Sequence, residues 1–203
     1  IASYRIDNLI GVYTSLEGLI HSKTPHRDTI KMSVFWDNEE IGSHTAQGAG
    51  SPFLAQLIER ICLALGQSRE DYFRMISRSL CASVDLGHAL HPNYSDRHEP
   101  RHVALMNKGI LIKTNAQHRY ASDAHSTAKI VNLCHKHSIP FQKYMSRGDI
   151  PCGTTVGPIH ATLTGMPTID IGITQLSMHS CREVVGIRDF ESLCSLLKAF
   201  LSD

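Results

Sequence analysis

The segment PTIDIGI, at residues 167–173, carries an isoleucine at every second position from Ile169 to Ile173. β-Branched side chains favour an extended backbone, and a nearly continuous apolar run is typical of a strand in the middle of a sheet. We therefore predict a central, buried strand here. The segments on either side of it along the chain decide what kind of sheet surrounds it.

Segments with strand-like character alternate along the chain with segments of helical periodicity. The other predicted strands are 30–37, 81–85, 109–115 and 140–146, and the predicted helices are 8–20, a helix that begins at Ser51-Pro52, 70–80, 122–138 and 189–201. Strands that alternate with helices of about ten to fifteen residues indicate an α/β fold. We expect a three-layer sandwich in which helices flank a largely parallel mixed sheet.

The composition is that of a chain that can bury one core, with 203 residues of which 42% are hydrophobic. The net charge of +1 gives no reason to expect a nucleic acid or a membrane as partner. No apolar run is long enough to span a bilayer, and IASYRIDN at the start lacks the features of a signal peptide. The six cysteines form no CxxC pair, so we expect them reduced and buried in a cytoplasmic protein.

Acidic and histidine side chains stand at the ends of several predicted elements. They are Asp7 before the first helix, Glu39 and Glu40 after the strand 30–37, Asp85 at the end of 81–85, and His179 in the loop after 167–173. Ligand sites of α/β folds gather at the carboxyl ends of strands, so these side chains could converge. Carboxylates with an imidazole suit zinc, with manganese or cobalt as alternatives. Taken singly, each has a simpler interpretation, such as a solvated acidic turn for the glutamate pair.

The sequence motifs around these residues identify a protein family more specifically than the single residues do. The segments RIDNL, DNEEIGS, SVDLGHALHPNY, SDAHS, RGDIPCGTTVGPI and IDIG, with LSMHS and RE further on, resemble the aspartyl aminopeptidase family of co-catalytic dizinc peptidases. The resemblance extends from the first residue to the last helix. It implies a zinc-aminopeptidase-like fold and removal of N-terminal Asp or Glu from peptides. It also implies a homo-oligomer, which is a dodecamer in the family.

The resemblance also implies a role for each acidic and histidine residue. Asp7 would bridge two zinc ions, and Glu39 would be the general base that takes a proton from the attacking water. Glu40, Asp85 and His179 would be terminal ligands. One zinc would then have Asp7, Glu40 and His179, and the other would have Asp7, Asp85 and an upstream histidine.

Substrate contacts carry over in the same way to Glu39, Asp85, His88, Lys113 and Tyr120. Lys113, at the end of the strand 109–115, would supply the cation that an acidic substrate side chain needs, although an edge-strand lysine kept for solubility is the alternative. His88 would donate to the tetrahedral oxyanion, and Tyr120 would help to fix the substrate.

The resemblance implies that residues 1–203 are the C-terminal part of a peptidase domain. The family's N-terminal segment, with its zinc histidine, and its inserted dimerisation domain are absent from this sequence. We therefore expect this chain alone to be incomplete, with a stronger metal position at Asp7, Glu40 and His179. We also expect a raised pKa for Asp7 or Asp85, because the two carboxylates repel each other, and a cis peptide bond after Asp7.

Other histidines have simpler interpretations, and two other functions remain open. We predict a solvent loop for His26-Arg27-Asp28, surface positions for His135 and His137, and a turn-forming role for His91. A related dizinc aminopeptidase with another substrate preference remains open, as does a non-catalytic assembly or cargo subunit. The intact set of candidate ligands argues against the second alternative.

Overall fold

The computed structural model describes residues 1–23 and 28–203, and this part of the chain holds six α-helices and eight β-strands. The helices are α1 (Ile6–Ile20), α2 (Phe53–Ala64), α3 (Arg69–Arg78), α4 (Ala124–Lys136), α5 (Val156–Thr164) and α6 (Ile187–Phe200). The strands are β1 (Ala2–Ser3), β2 (Cys81–Val84), β3 (Gly87–His88), β4 (Ile110–Thr114), β5 (Phe141–Met145), β6 (Thr168–Gly172), β7 (Thr174–Leu176) and β8 (Glu183–Val185). Among these helices, none combines the length and the apolar character that a membrane crossing requires.

The predicted central strand is β6, which lies between β2 and β4 in a sheet of order β2-β6-β4-β5. Every residue of β6 is buried. The outer pairs β2–β6 and β4–β5 are parallel, whereas β4 and β6 are antiparallel. The predicted α/β class and the mixed sheet are confirmed.

The remaining strands form a second sheet, of order β1-β8-β7-β3, so the fold has two mixed sheets where one was expected. The two sheets are continuous in the chain, because β2 leads into β3 and β6 leads into β7. Backbone bonds cross this junction, from the N–H of Asp85 to the carbonyl of Ile171 and from the N–H of Gly87 to the carbonyl of Ile173. Asp85 therefore lies where one sheet gives way to the other.

Helices cover both faces of the first sheet, as a three-layer sandwich requires. Ile169 and Ile171 belong to the main core, which includes α1, α4 and α6 through residues such as Ile10, Ile130 and Leu193. Asp170 points to the opposite face, since successive side chains of a strand alternate. There its carboxylate accepts hydrogen bonds from the hydroxyls of Ser83 and Thr155 beside α5.

The strand predicted at 30–37 is wrong. Residues 30–37 have no strand assignment, and Phe35 is 46% exposed. The apolar character of this segment favours an extended backbone, but a strand also needs a neighbour, and no described residue pairs with it. The short strands β1, β3, β7 and β8 were not predicted, because two to three residues carry too little periodicity to detect. The helix α5 was not predicted either, because the Gly157-Pro158 pair in its first turn is typical of a loop.

Several smaller predictions can be compared with the structure. All six cysteines are free, but only Cys62 and Cys134 are buried, and Cys181 is exposed. His135 and His137 are exposed on and just after α4, as predicted. His91 accepts a hydrogen bond from the N–H of Asn93 at 3.2 Å, which agrees with a role in the turn. His26 and Arg27 lie outside the described residues.

Candidate metal centre

Three of the predicted ligands meet in one place. Ligand atoms of Asp7, Glu40 and His179 all lie within 4.8 Å of one another. The His179 Nε2 atom is 3.3 Å from Asp7 Oδ2 and 3.1 Å from Glu40 Oε2. Glu39 and Asp85 line the same cavity as these three, which has a volume of about 2140 Å³. The predicted convergence of these five residues in one cleft is therefore seen in the structure.

Asp7 is held at the start of α1 by a local break in the helix. Asp7 and Asn8 have non-helical backbone angles, and the peptide bond between them is cis, as expected. The Asn8 side chain donates to the carbonyl of Val84 at 2.7 Å, which ties this break to the end of β2. A Cβ atom at Gly11 would lie 2.3 Å from Asn8 Oδ1, so a larger residue there would displace the Asn8 amide. The segment thus brings Asp7 next to Asp85.

Glu39 and Glu40 do not stand at a strand end, contrary to the prediction. They begin a short 3₁₀ turn, Glu39–Ile41, between Asn38 and Gly42, which both have left-handed backbone angles. The N–H of Gly42 donates to the carbonyl of Glu39 and closes the turn. The Glu40 side chain is 56% exposed and faces His179. The EEIG motif therefore forms a tight turn that presents two carboxylates side by side.

His179 lies in the loop between β7 and β8 and has a positive φ of 65°. Its position depends on Glu183, a buried residue of β8 to which the sequence interpretation gave no role. Glu183 accepts hydrogen bonds from the N–H of His179 at 2.7 Å and from the N–H of Asp7 at 2.9 Å. The only signal in the sequence was the acid that follows the histidine by four positions, in HSCRE.

The carboxylates of this cluster repel one another. Burial, followed by the charge and hydrogen bond of Asp85 and the charge of Glu40, raises the pKa of Asp7 to about 8. This agrees with the expectation that Asp7 or Asp85 would have a raised pKa. Burial, with Asp85 and Glu40 as the nearest negative charges, raises the pKa of Glu39 to about 7. The cluster therefore holds protons at neutral pH that a cation could replace.

Besides Glu39 and Asp85, three further residues were predicted to contact substrate, and they lie on the Asp85 side of the cluster. Lys113 is only 1% exposed, and its Nζ atom donates to the carbonyl of Leu86 at 2.6 Å and to Asp85 Oδ2 at 3.3 Å. The same ammonium lies 5.4 Å from the centre of the Tyr120 ring. His88 follows on β3. Burial of its ring, and then the positive charge of the nearby His98, lower its pKa. Its ring is thus neutral at neutral pH.

Tyr120 is held by a contact to its hydroxyl and by a hydrogen bond of the next residue in the chain. The Cys152 thiol donates to its hydroxyl at 3.4 Å, and burial, with this bond, raises the pKa of the Tyr120 hydroxyl far above its usual value. The next residue, Ala121, donates its N–H to Asp170 at 2.6 Å. Asp170, which the sequence interpretation left without a role, therefore connects the Tyr120 loop to the central strand.

The donor set fits zinc. Catalytic zinc commonly has three protein ligands from histidine and acidic residues, with one position open. Asp7, Glu40 and His179 supply such a set, and Asp7 Oδ1 is buried without a hydrogen-bond partner among the described residues. A cation would satisfy that orphaned oxygen. Asp7 and Asp85 together offer two carboxylates for a second ion, without an imidazole from the described part of the chain.

Comparison with known proteins supports the same interpretation. Residues 1–201 match the model of the family described as aminopeptidase I zinc metalloprotease (M18). A probable M18 family aminopeptidase 2 from Mycobacterium tuberculosis (strain H37Ra) is 41% identical over 200 residues, which cover 98% of this chain and 46% of that protein. The chain thus spans less than half the length of this relative.

Solved structures give the same result. A chain in the cryo-EM structure of the Ape4 and Nbr1 complex superposes with a TM-score of 0.91 and 37% identity, over 98% of this chain and 39% of that one. The structure of the S. cerevisiae mApe1 dodecamer gives a TM-score of 0.80 and 28% identity, over 98% of this chain and 45% of that one. This chain therefore belongs to the M18 family of aminopeptidase I zinc metalloproteases.

Proposed function

We propose that this chain carries the catalytic centre of a zinc-dependent aminopeptidase that removes acidic residues from the N-termini of peptides. The observation that carries the proposal is the meeting of Asp7, Glu40 and His179 within 4.8 Å, beside Glu39 and Asp85. A cleft of this composition has the ligands for a metal and a separate carboxylate for proton transfer.

Zinc, when bound, would polarise the scissile carbonyl and favour ionisation of the attacking water. Asp7 would bridge two ions, with Glu40 and His179 on one and Asp85 on the other. Manganese or cobalt could occupy the same ligands. Metal analysis of the purified protein, with activity measured after chelation and after each metal is restored, would identify the metal that is used.

Glu39 is the proposed general base. In the metal-free site, burial and the neighbouring carboxylates raise its pKa to about 7, within the range of groups that exchange protons near neutral pH. It would take a proton from the attacking water and deliver it to the leaving amine. The neutral ring of His88 could donate to the oxyanion that develops on the substrate carbonyl.

The preference for acidic residues is assigned to Lys113. Its ammonium is a buried positive charge next to Asp85, and it lowers the pKa of both Asp7 and Glu39, so its field reaches the cleft. In a site that excludes water, such a charge attracts a carboxylate strongly. The Tyr120 ring beside it would limit the space that the substrate side chain can occupy.

The test is the ratio of kcat/KM for Glu- and Leu-aminoacyl substrates. Lys113→Met keeps the length of the side chain but removes its charge. We expect the ratio to fall roughly 10- to 100-fold, because a hydrogen bond to a charged group contributes about 1.5–3 kcal/mol. Lys143→Met, at an exposed lysine on the neighbouring strand β5, is the matched control and should leave the ratio unchanged.

The outcome also separates the alternatives. An unchanged ratio, with both substrates slowed equally, would show that Lys113 acts only through Asp85, and the preference for acidic substrates would have to be abandoned. An equal or better rate with neutral substrates in the wild type would identify an aminopeptidase of another specificity. No hydrolysis by the metal-loaded full-length protein would favour a non-catalytic assembly subunit.

We also propose that the full-length protein is a homo-oligomer. The supporting observation is that the related S. cerevisiae mApe1 was solved as a dodecamer. The mass of this full-length protein in solution, measured by light scattering, would test the proposal. The six unpaired cysteines support a reducing, cytoplasmic location, which fractionation of the source cells would test.

A further inference from the structure

Glu183 is a buried carboxylate that joins two distant parts of the candidate metal centre. It is 1% exposed and forms no ion pair with any described residue. Its Oε2 atom accepts the N–H of Asp7, and its Oε1 atom accepts the N–H of His179. A buried carboxylate is costly unless hydrogen bonds compensate for the lost water. Both of its compensating bonds come from the backbone of proposed metal ligands.

Both ligand residues lie where the backbone departs from regular structure, so an acceptor outside their own segments can fix them. His179 has a left-handed φ of 65°, which is unfavourable for a residue with a side chain. Asp7 interrupts α1 with non-helical angles. Glu183 itself is fixed in β8, where it pairs with Ser3 of β1. The strand therefore holds one rigid acceptor against an unfavourable backbone turn at His179 and an interruption of the helix at Asp7.

We propose that Glu183 is a positioning residue for the metal centre, which fixes the backbones of Asp7 and His179 so that their side chains meet at one ion. This inference rests on the proposed function, since it assumes that Asp7 and His179 are ligands. Glu183 does not contact the metal in this account. Groups that orient metal ligands from behind typically change metal affinity by about 10- to 100-fold when they are altered.

A simple structural role is the alternative, and the chain offers a matched control for it. Asp189, in α6, is also fully buried and accepts two backbone N–H groups, from Asn107 and Gly109, both at 2.7 Å. It lies away from the cleft and contacts none of the proposed ligands. Asp189→Asn should therefore destabilise the fold as Glu183→Gln does, without affecting the metal.

The experiment compares the full-length wild type with Glu183→Gln, Asp189→Asn and His179→Ala. Gln keeps the size of Glu but replaces one acceptor oxygen with an NH₂ donor, so one of the two backbone N–H groups loses its partner. Zinc affinity is measured by competition with a chromophoric chelator, the visible spectrum is recorded after cobalt loading, and the urea midpoint is measured without metal. We expect Glu183→Gln to bind zinc about 10- to 100-fold more weakly, with an altered cobalt spectrum.

Each result has a defined meaning. Asp189→Asn should lower the urea midpoint but keep wild-type zinc affinity and the wild-type cobalt spectrum. If Glu183→Gln also keeps them while His179→Ala loses zinc, the positioning role is overturned and the proposed metal centre stands. If His179→Ala binds zinc like the wild type, or the wild type binds none, the proposed function itself fails.

A second variant covers the case in which Glu183→Gln does not fold. Glu183→Asp keeps the charge and both acceptor oxygens but is one methylene shorter, so it cannot reach both N–H groups equally. We expect a smaller loss of zinc affinity than for Gln, and wild-type affinity would overturn the inference. Failure of both variants to fold in excess zinc, with Asp189→Asn folded, would show a purely structural role and would overturn it as well.

Discussion

The raised pKa of Asp7 predicts a steep dependence of zinc affinity on pH. A carboxyl with a pKa of about 8 is protonated in the metal-free site at neutral pH, so zinc must displace that proton in order to bind. Affinity should therefore rise with pH until the carboxyl is ionised. From a pKa of about 8, proton competition weakens binding roughly 100-fold at pH 6 and about 2-fold at pH 8.

The expected gain from Asp7 between pH 6 and pH 8 is thus roughly 50-fold, or about 2.3 kcal/mol. The perturbation is Asp7→Asn, which cannot ionise, and the assay is chelator competition at several pH values with the chelator's own titration corrected. The variant will bind zinc weakly, but its remaining slope reports the other ligands, and the difference in slope between the two proteins isolates Asp7. Identical slopes would refute the assignment of the proton to Asp7.

Other predictions follow from the geometry of the cleft. Glu39→Gln should keep its zinc content but lower kcat by about 10²- to 10⁴-fold, because the proposed base is lost while the ligands remain, and near-normal turnover would exclude Glu39 from proton transfer. Gly172→Ala should lower the free energy of unfolding by about 1–3 kcal/mol in urea melts, because its Cβ would lie 1.8 Å from the carbonyl oxygen of Asp85. Gly153→Ala, whose Cβ would meet no atom within 4 Å, is the control and should unfold like the wild type.

Much of the main sheet could be predicted from the sequence, because its central strands β4 and β6 are buried along almost their whole length. Residues 167–173, 109–115 and 81–85 were each found within one or two residues of their observed ends, since continuous apolar runs bounded by turns identify such strands. The segment 30–37 has the same local character and is not a strand. Local propensity describes what a backbone tolerates, whereas pairing depends on partners elsewhere in the chain.

Some residues of the candidate site could likewise be predicted from the sequence, and others could not. The side chains that would touch a metal or a substrate were named from motifs, because few residue types can perform that chemistry. Glu183 and Asp170 were missed, because a buried acid that accepts backbone N–H groups has no spacing rule in sequence. Only the fold reveals which N–H groups it faces.

The central claim is that Asp7, Glu40 and His179 hold zinc. A crystal structure of the zinc-loaded full-length protein, with anomalous data collected on both sides of the zinc absorption edge, tests it most directly. We predict an anomalous peak about 2.0–2.2 Å from a carboxylate oxygen of Asp7, from a carboxylate oxygen of Glu40 and from His179 Nε2. Zinc bound only at other residues, with this cleft free of anomalous signal, would contradict the account.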